Sequence, residues 1–565
     1  MIRSSLLGWF VLGAAPALGQ QLSDVLLVET TQDQLVRLTD FDGDGRYQSQ
    51  DEVRVLYYDG MGGSNFSSPR SALVRLEAGT PALYWIDTQR DQLFRAVDES
   101  GNGRIDIGED SRYRYILGLD GSTSPDGLAS TSDGAIWWCS DGGVARGLFR
   151  CIDLNGNDDA NDDGESEKLI PAGGVQWVET DAGSAAFDSS NLLRLASFGN
   201  GVVAYVQGDD EAAFRFEKRN TDSDLADPGE SRLFLNATGK NSAFPQNADW
   251  QSGLLRSLVL PGPGGKGQAY ARLNYLASRQ ESGQTAWYFA TNQAAGFNAL
   301  NILGQAVNGL VFRGVDLNAD GDLQEAGEVR AYFDGSLTSG SPFVVDQITG
   351  LDAASDGIYL GAIDGSNAVV HRLRDLNGDG DALDAGELDF ALFDDSQLAG
   401  PSPFFIGTPF VWDIAVAPQG WFQNSFIDSG TPCGPGSNKP KLGFSGDAHV
   451  GAPTGFDLRV ENVAPGLPAV LLVGTDTTSW LGLPLPLDLA LFGLPGCTLY
   501  QNAMLRFTLL TTGSGPSGGV AKLPVVLQND PQLYGAEIPL QWVIVDAAAG
   551  QFSFSKLGVV HLLAP

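Results

Sequence analysis

Six short stretches of the chain place oxygen-bearing side chains at every second position. They begin at Asp40, Asp98, Asp153, Asn220, Asp316 and Asp375, at steps of 58, 55, 67, 96 and 59 residues. The clearest read DLNADGDLQEAGE from Asp316 and DLNGDGDALDAGE from Asp375. Calcium is a hard cation that takes six to eight oxygen ligands. Acids or amides at positions 1, 3 and 5 turn toward one centre, while glycine at position 6 allows the sharp bend. The implied ligands are Asp40, Asp42, Asp44 and Glu52 in the first stretch, and Asp98, Ser100, Asn102 and Glu109 in the second. The third offers Asp153, Asn155, Asn157 and Glu165, with Asp158 at the glycine position. The last two offer Asp316, Asn318, Asp320, Asp322 and Glu328, then Asp375, Asn377, Asp379, Asp381 and Glu387. The Asn220 stretch, NTDSDLADPGE, reads as two residues shorter and lacks the central glycine. Asp, Asn and Gly also favour turns without metal, so solvated turns are the competing reading.

The closing acid falls at position 13 in Glu52, Glu165, Glu328 and Glu387; only Glu109 falls at 12. The first halves of these loops therefore resemble EF-hand or dockerin-type calcium loops. The closing residue and the flanking strands do not.

Each loop lies between alternating segments such as QLVRLTD and EVRVLYY, or VVHRLRD and ELDFALF, which is a hairpin pattern. Two further strand-like runs precede each hairpin, as ITGLDAAS and GIYLGAID precede the Asp375 loop. Four short strands per ~55 to 60 residues make one propeller blade. The expected fold is all-β, a six-bladed β-propeller over residues 20–429 followed by a C-terminal β-sandwich over 430–565. The first copy lacks its upstream strand, and VWDIAVAP from Val411 is spare, so the ring is expected to close there. An insertion over about 236–268, containing PGPGGKG, reads as a long loop. Five loops carry an arginine three residues upstream (Arg37, Arg95, Arg150, Arg313, Arg372), read as a repeated structural ion pair or packing contact.

Residues 1–19, with Arg3 before the apolar run Leu6 to Leu18, read as a secretory signal peptide. No later run is long and apolar enough to span a bilayer, so a secreted or cell-surface protein without a membrane span is expected. The formal charge of -35 repels nucleic acid and favours divalent cations or basic partners. Four cysteines in an exported chain suggest the pairs Cys139–Cys151 and Cys433–Cys497, and their spacing excludes a C-x-x-C site.

After the linker SGTPCGPGSNKP the acids thin out. The segment from Gly451, GAPTGFDLRVENVAPGLPAVLLVG, with PGCTLY, IPLQWVIVD and the terminal LLAP, resembles a C-terminal domain that recurs at the ends of many secreted bacterial proteins. The resemblance covers about a quarter of the chain and implies export and a modular tail, with surface attachment or sorting as its use, rather than a reaction.

The three histidines, His371, His449 and His561, lie in different segments, which leaves little for a histidine triad or zinc site. Trp137, Trp138 and Trp287 read as core, as does His371. The function expected is a calcium-binding extracellular module for an unidentified glycan or protein ligand. The alternative is a hydrolase of polysaccharide or phosphoester at the channel mouth, by analogy with calcium-dependent six-bladed phytases and gluconolactonase-like enzymes. A structural envelope component is a third possibility. A plugged channel favours the binding module; acids and an extra metal at the mouth favour the enzyme.

Overall fold

The structure is a computed structural model. It describes residues 22–562 except 31–32, 41–44, 49–51, 59–68, 78–79, 89–91, 99–104, 106–110, 117–124, 141–145, 171–174, 182, 189–191, 207–211, 223, 238–243, 250–272, 274, 291–308, 336–344, 346, 365–366, 399–410, 418–425, 435–438, 447, 449, 452–454, 529 and 534–535. The chain is nearly all β, built from many small sheets. No helix among the described residues is long and apolar enough to cross a membrane.

Among the described residues, six antiparallel sheets of four strands carry the repeat, the fourth extended by a hairpin. Sheet 1 runs Val411–Val416, Val25–Glu29, Gln34–Leu38, Val53–Tyr58; the spare strand has indeed joined the first repeat, Val25 lying opposite Val416. Sheets 2 and 3 begin with Pro69–Glu77 and Pro125–Ser130, sheets 4, 5 and 6 with Leu192–Phe198, Tyr275–Glu281 and Gln347–Ala354. These first strands touch one another in a closed cycle, Val411–Val416 against both Gln347–Ala354 and Pro69–Glu77. The alternating apolar residues of neighbouring sheets fuse into cores, with Trp85 between sheets 1 and 2, Trp138 between 2 and 3, Trp137 between 3 and 4, and Trp287 between 4 and 5. Tyr359 and Tyr47 lie in the core that joins sheet 6 back to sheet 1. The tryptophans are core residues, as their strands suggested.

A second tie joins neighbouring sheets. The residue at position 8 of an acidic loop donates its backbone N–H to the outermost strand of the preceding sheet: Ile105 to Leu56, Ala160 to Tyr115, Leu323 to Phe234, Ala382 to Tyr332, and Tyr47 to Leu392 across the ring closure, at 2.7–2.8 Å. Each accepting carbonyl sits where the register of its own strand slips, as between Leu35 and Val36 opposite Leu56, or between Val311 and Phe312 opposite Tyr332. A bulge leaves one residue unpaired within its sheet. Here that carbonyl faces the next sheet's loop.

Among the described residues the tail forms two larger antiparallel sheets over an apolar core that includes Phe444, Leu471 and Trp542, with two small two-stranded sheets and a second apolar cluster around Cys433 and Cys497. Cys433 and Cys497 are disulfide-bonded, closing a sequence separation of 64. The Cys139–Cys151 pairing is corrected: both are buried thiols. Their strands are adjacent, but Cys139 lies opposite Leu148 and Cys151 opposite Ile136, an odd offset that turns the two sulfurs to opposite faces. Cys139 packs in the core toward sheet 4 and Cys151 in the core toward sheet 2.

The insertion of 236–268 falls mostly outside the described residues, as does His449. His371 is buried, stacks near Phe390 and accepts the Ala391 N–H at Nδ1. Burial lowers its pKa to about 4, against a smaller upward pull from Asp394.

Thiol titration without reductant should count two thiols in guanidinium and almost none in the native protein; zero or four in guanidinium would refute this pairing. His371 must stay neutral in the folded state, so its contribution is complete above pH ~6.5 and is lost as pH falls toward about 4. The loss is on the order of 3 kcal/mol. His371→Phe should therefore flatten the melting temperature between pH 6.5 and 4 relative to wild type, and an unchanged slope would show that the imidazole stays neutral without cost.

Candidate metal centres and the central cavity

The loops close each third strand onto its fourth, and one backbone hydrogen bond sets their frame: Ile152 N–H to Glu165, Val315 to Glu328, Arg374 to Glu387, Thr39 to Glu52. Position 1 follows that donor. In the fourth loop the same bond runs from Glu217 to Glu230, so position 1 is Lys218 and Asn220 is position 3. The stretch that reads as two residues shorter is corrected to full length, with lysine replacing its first acid.

Within the frame the side chains build a ladder of Asx turns. Asp316 accepts from Ala319 and Gly321 N–H, Asn318 from Asp320, Asp320 from Asp322, and Asp322 from Gln324. Asp375, Asn377, Asp379 and Asp381 repeat the pattern. So do Asp153, Asn155 and Asn157, with Asp159 continuing it. Position 13 acts as a latch, both carboxylate oxygens taking N–H groups from opposite arms: Leu317 and Glu325 on Glu328, Leu376 and Asp384 on Glu387, Leu154 and Asp162 on Glu165. In the first loop Gly45 N–H reaches Asp40 and Gln48 N–H reaches Glu52. Asp98 is described, whereas Asp42, Asp44, Ser100, Asn102 and Glu109 lie outside the described residues.

In the third to sixth loops position 10 carries an acid that the spacing argument passed over, Asp162, Asp227, Glu325 and Asp384. Asn155 Nδ2 is 2.6 Å from Asp162, and Asn377 Nδ2 is 2.5 Å from Asp384. In the fifth loop the carboxylates of Asp320, Asp322 and Glu325 gather with Asp181, their oxygens within 4.8 Å of one another. Asp181 lies beyond Val175–Thr180, a strand of the hairpin that extends sheet 4, and only the fold brings it here. Burial pushes Asp322 up to about 6 against the opposing Arg232, and pushes Glu325 up to about 7 with help from Glu328 and Asp320. Glu328 and Asp381 are raised too, burial again leading. Hard oxygen donors gathered in one place and partly buried suit a hard divalent cation.

Glycine at position 6 has two reasons. Gly321 has φ +96, and a Cβ there would lie 2.7 Å from the Arg215 guanidinium reaching over from sheet 4. In the third loop Asp158 tolerates φ 71 and pairs with Arg95 of sheet 2 at 3.0 Å.

Four of the five repeated arginines form structural ion pairs, as expected, and the fifth, Arg37, is buried. Arg95 pairs with Glu77, Arg313 with Glu281, Arg150 with Asp133 and Glu167, Arg372 with Asp356 and Asp389. Glu77, Asp133, Glu281 and Asp356 all lie where the first two strands of their sheet meet, so each arginine ties that turn to the strand entering the loop. Tyr84 and Tyr288 donate to Glu77 and Glu281. The register Arg215 opposite Arg232 places Arg215 as the sixth member.

Where the first strands meet lies a cavity of about 150 Å³, lined by residues of all six sheets, among them Ser71, Gly127, Arg194, Tyr275, Asp352 and Asp413. Arg194 sits at a bulge with φ 40 and crosses it. Its guanidinium is 2.9 Å from Asp413, donates to the carbonyls of Asp126 and Trp412, and lies 5.0 Å from the Tyr275 ring centroid. Ser71 donates to Asp413 as well. Burial opposes charge on Arg194, but Asp413 and Asp126 outweigh it and hold its pKa above the ordinary value. Burial raises Asp413 to about 6 and Asp352 to about 7. Asp352 accepts N–H groups from Val416 and Ala353, so the channel's acids are spent on holding the first strands together.

No protein-family model and no curated protein matches the chain. Among solved structures it is similar to a chain of a nidogen/laminin complex (10% identity, 70% of this chain and 98% of that one, TM-score 0.36). It is also similar to the PQQ-bound aldose sugar dehydrogenase of Streptomyces coelicolor (11% identity, 61% and 89%, TM-score 0.34). A third similarity is to an exo-1,5-α-L-arabinanase from a bovine ruminal metagenomic library (9% identity, 57% and 98%, TM-score 0.26).

Asp413→Ala strands the buried guanidinium and should cost about 3–5 kcal/mol in denaturant unfolding, whereas replacing Arg194 and Asp413 together by leucine should recover most of that. A cost below 1 kcal/mol for Asp413→Ala would mean the pair does not hold the ring.

Proposed function

We propose that the six sheets are the blades of a β-propeller and the tail a β-sandwich, in an exported, calcium-stabilised binding or cell-surface interaction module. The observation that carries this reading is the separation of the two kinds of site. The crowded carboxylates lie in loops whose position-8 N–H groups clasp neighbouring sheets, while at the centre Arg194 is paired with Asp413 and Asp352 holds backbone N–H groups. Charges committed to one another at the centre support recognition on the outer surface over chemistry there. The Cys433–Cys497 disulfide suits an oxidising compartment, where calcium near 10⁻³ M would keep structural sites filled.

In such a site calcium would be held by Asp316, Asn318, Asp320 and Asp322, by Asp375, Asn377, Asp379 and Asp381, and by their counterparts in the third, first and second loops, with the acids of position 10 (Asp162, Glu325 and Asp384) close by in the third, fifth and sixth. The ion supplies charge neutralisation; the chain supplies the Asx ladder and the glutamate latch that set the oxygens in place. Metal binding is then part of the folding free energy. The ligand recognised outside is a glycan or a protein.

The mature protein should melt several degrees higher in excess calcium than in chelator, and Asp316→Ala or Asp375→Ala should each shrink that difference. Equal melting in both conditions would reduce the loops to turns, and turnover of polysaccharides or phosphoesters by the purified protein would overturn the binding reading.

A further inference from the structure

The fourth loop differs from the others in where its positive charge comes from. Its frame is the common one: Glu230 latches Arg219 and Asp227 N–H as its counterparts do, and Asn220, Asp222 and Asp224 continue the Asx ladder. Position 1, an acid in the other loops, is Lys218. Its side chain is 9% exposed, and Nζ lies 3.3 Å from Glu167 Oε2 of sheet 3 and 3.7 Å from Asp222 Oδ1 of its own loop. Nζ is fully buried without an aligned hydrogen bond and acts as a point charge between two carboxylates.

We propose that Lys218 is the resident cation of the fourth loop, so that this loop is closed to calcium and joins sheets 3 and 4 without metal. Charge supports the assignment. Loops five and six each hold five acids and no base, whereas the fourth holds four acids with Lys218 and Arg219, a net of -2. Calcium affinity follows ligand charge, and a divalent ion near Asp222 would face the ammonium a few ångström away. The oxygens of Asp222, Asp224 and Glu230 lie within 4.8 Å of one another, and those acids would otherwise read as a metal site. The ammonium tethered beside Asp222 does that work, reaching Glu167 across the seam as the acidic loops reach their neighbours through a backbone bond.

The assignment of the other loops to calcium is that of the preceding subsection, and the test keeps the two apart. Bound calcium and melting temperature are measured on the full mature chain for wild type, Lys218→Asp, Lys218→Met and Lys218→Arg. Lys218→Asp should bind one calcium more than wild type. Lys218→Met should melt several degrees lower in chelator and in calcium alike, and Lys218→Arg should recover much of that loss. Asp316→Ala, by contrast, should lower melting only in calcium. The proposal is overturned if a calcium-binding wild type and Lys218→Asp take up equal amounts, or if Lys218→Met melts like wild type in chelator. A wild type that binds no calcium would defeat the reading of the other loops, and the chelator melting of Lys218→Met would then decide Lys218 alone.

Discussion

The ring depends on a carbonyl turned out of its own sheet. At Leu56, Tyr115, Phe234, Tyr332 and Leu392 the outermost strand bulges, and the released carbonyl takes the N–H of position 8 in the next sheet's loop. A twisted sheet of four strands would otherwise present this edge to solvent or to another chain. The loop residue that donates is itself buried, from Tyr47 to Ala382, so it seals the end of the inter-sheet core as well. The acidic loop is therefore first a piece of the interface and only then a candidate metal site. Its oxygens converge because positions 8 and 13 are fixed by the sheets around it.

Two charge systems share the rim where the loops lie. The arginines entering the loops hold the first turns of sheets 2, 3, 5 and 6 through Glu77, Asp133, Glu281 and Asp356, and Arg95 also reaches forward to Asp158 of the next loop. Such pairs are partly buried and networked, the setting in which ion pairs contribute most. The tail stands apart: residues 430–565 carry six Lys and Arg against eight Asp and Glu, which leaves nearly all of the -35 on the ring. An acidic ring beside a near-neutral tail is a chain whose electrostatic demands lie in one module.

What was readable in the sequence was what repeats locally. Asp316 and Asp375 announced themselves because an Asx ladder writes a period of two into the first seven of thirteen residues, and the spare strand at Val411 followed from counting strands. Lys218 was missed because a search keyed on a leading acid slides past a lysine to the next Asx, and Arg215 went with it. Asp181 and the partners of Arg194 are joined by fold alone; Arg194 meets Asp413 across 219 residues, and no local pattern encodes that. The cysteines failed for a smaller reason. Neighbouring strands were the right guess, but side chains alternate, and an offset of three between Cys139 and the partner position of Cys151 puts a sheet between the sulfurs.

These features bear on one question, how a ring of acidic clasps stays closed. Each clasp is one backbone hydrogen bond, worth about 1 kcal/mol net. Around it five or six carboxylates crowd in the best-described loops, and burial, with smaller pushes from neighbouring acids, lifts Asp322 and Glu325 far above ordinary carboxylates. Acids buried side by side are unfavourable unless they are neutralised, so the seams need positive charge from somewhere. Arg232 supplies part of it to Asp322 and Arg95 part to Asp158; Lys218 supplies it outright between sheets 3 and 4. On the reading proposed above, calcium supplies the rest. Ring closure in the other seams then depends on the cation content of the surroundings, and the seam beside Lys218 is the one that holds its shape without it.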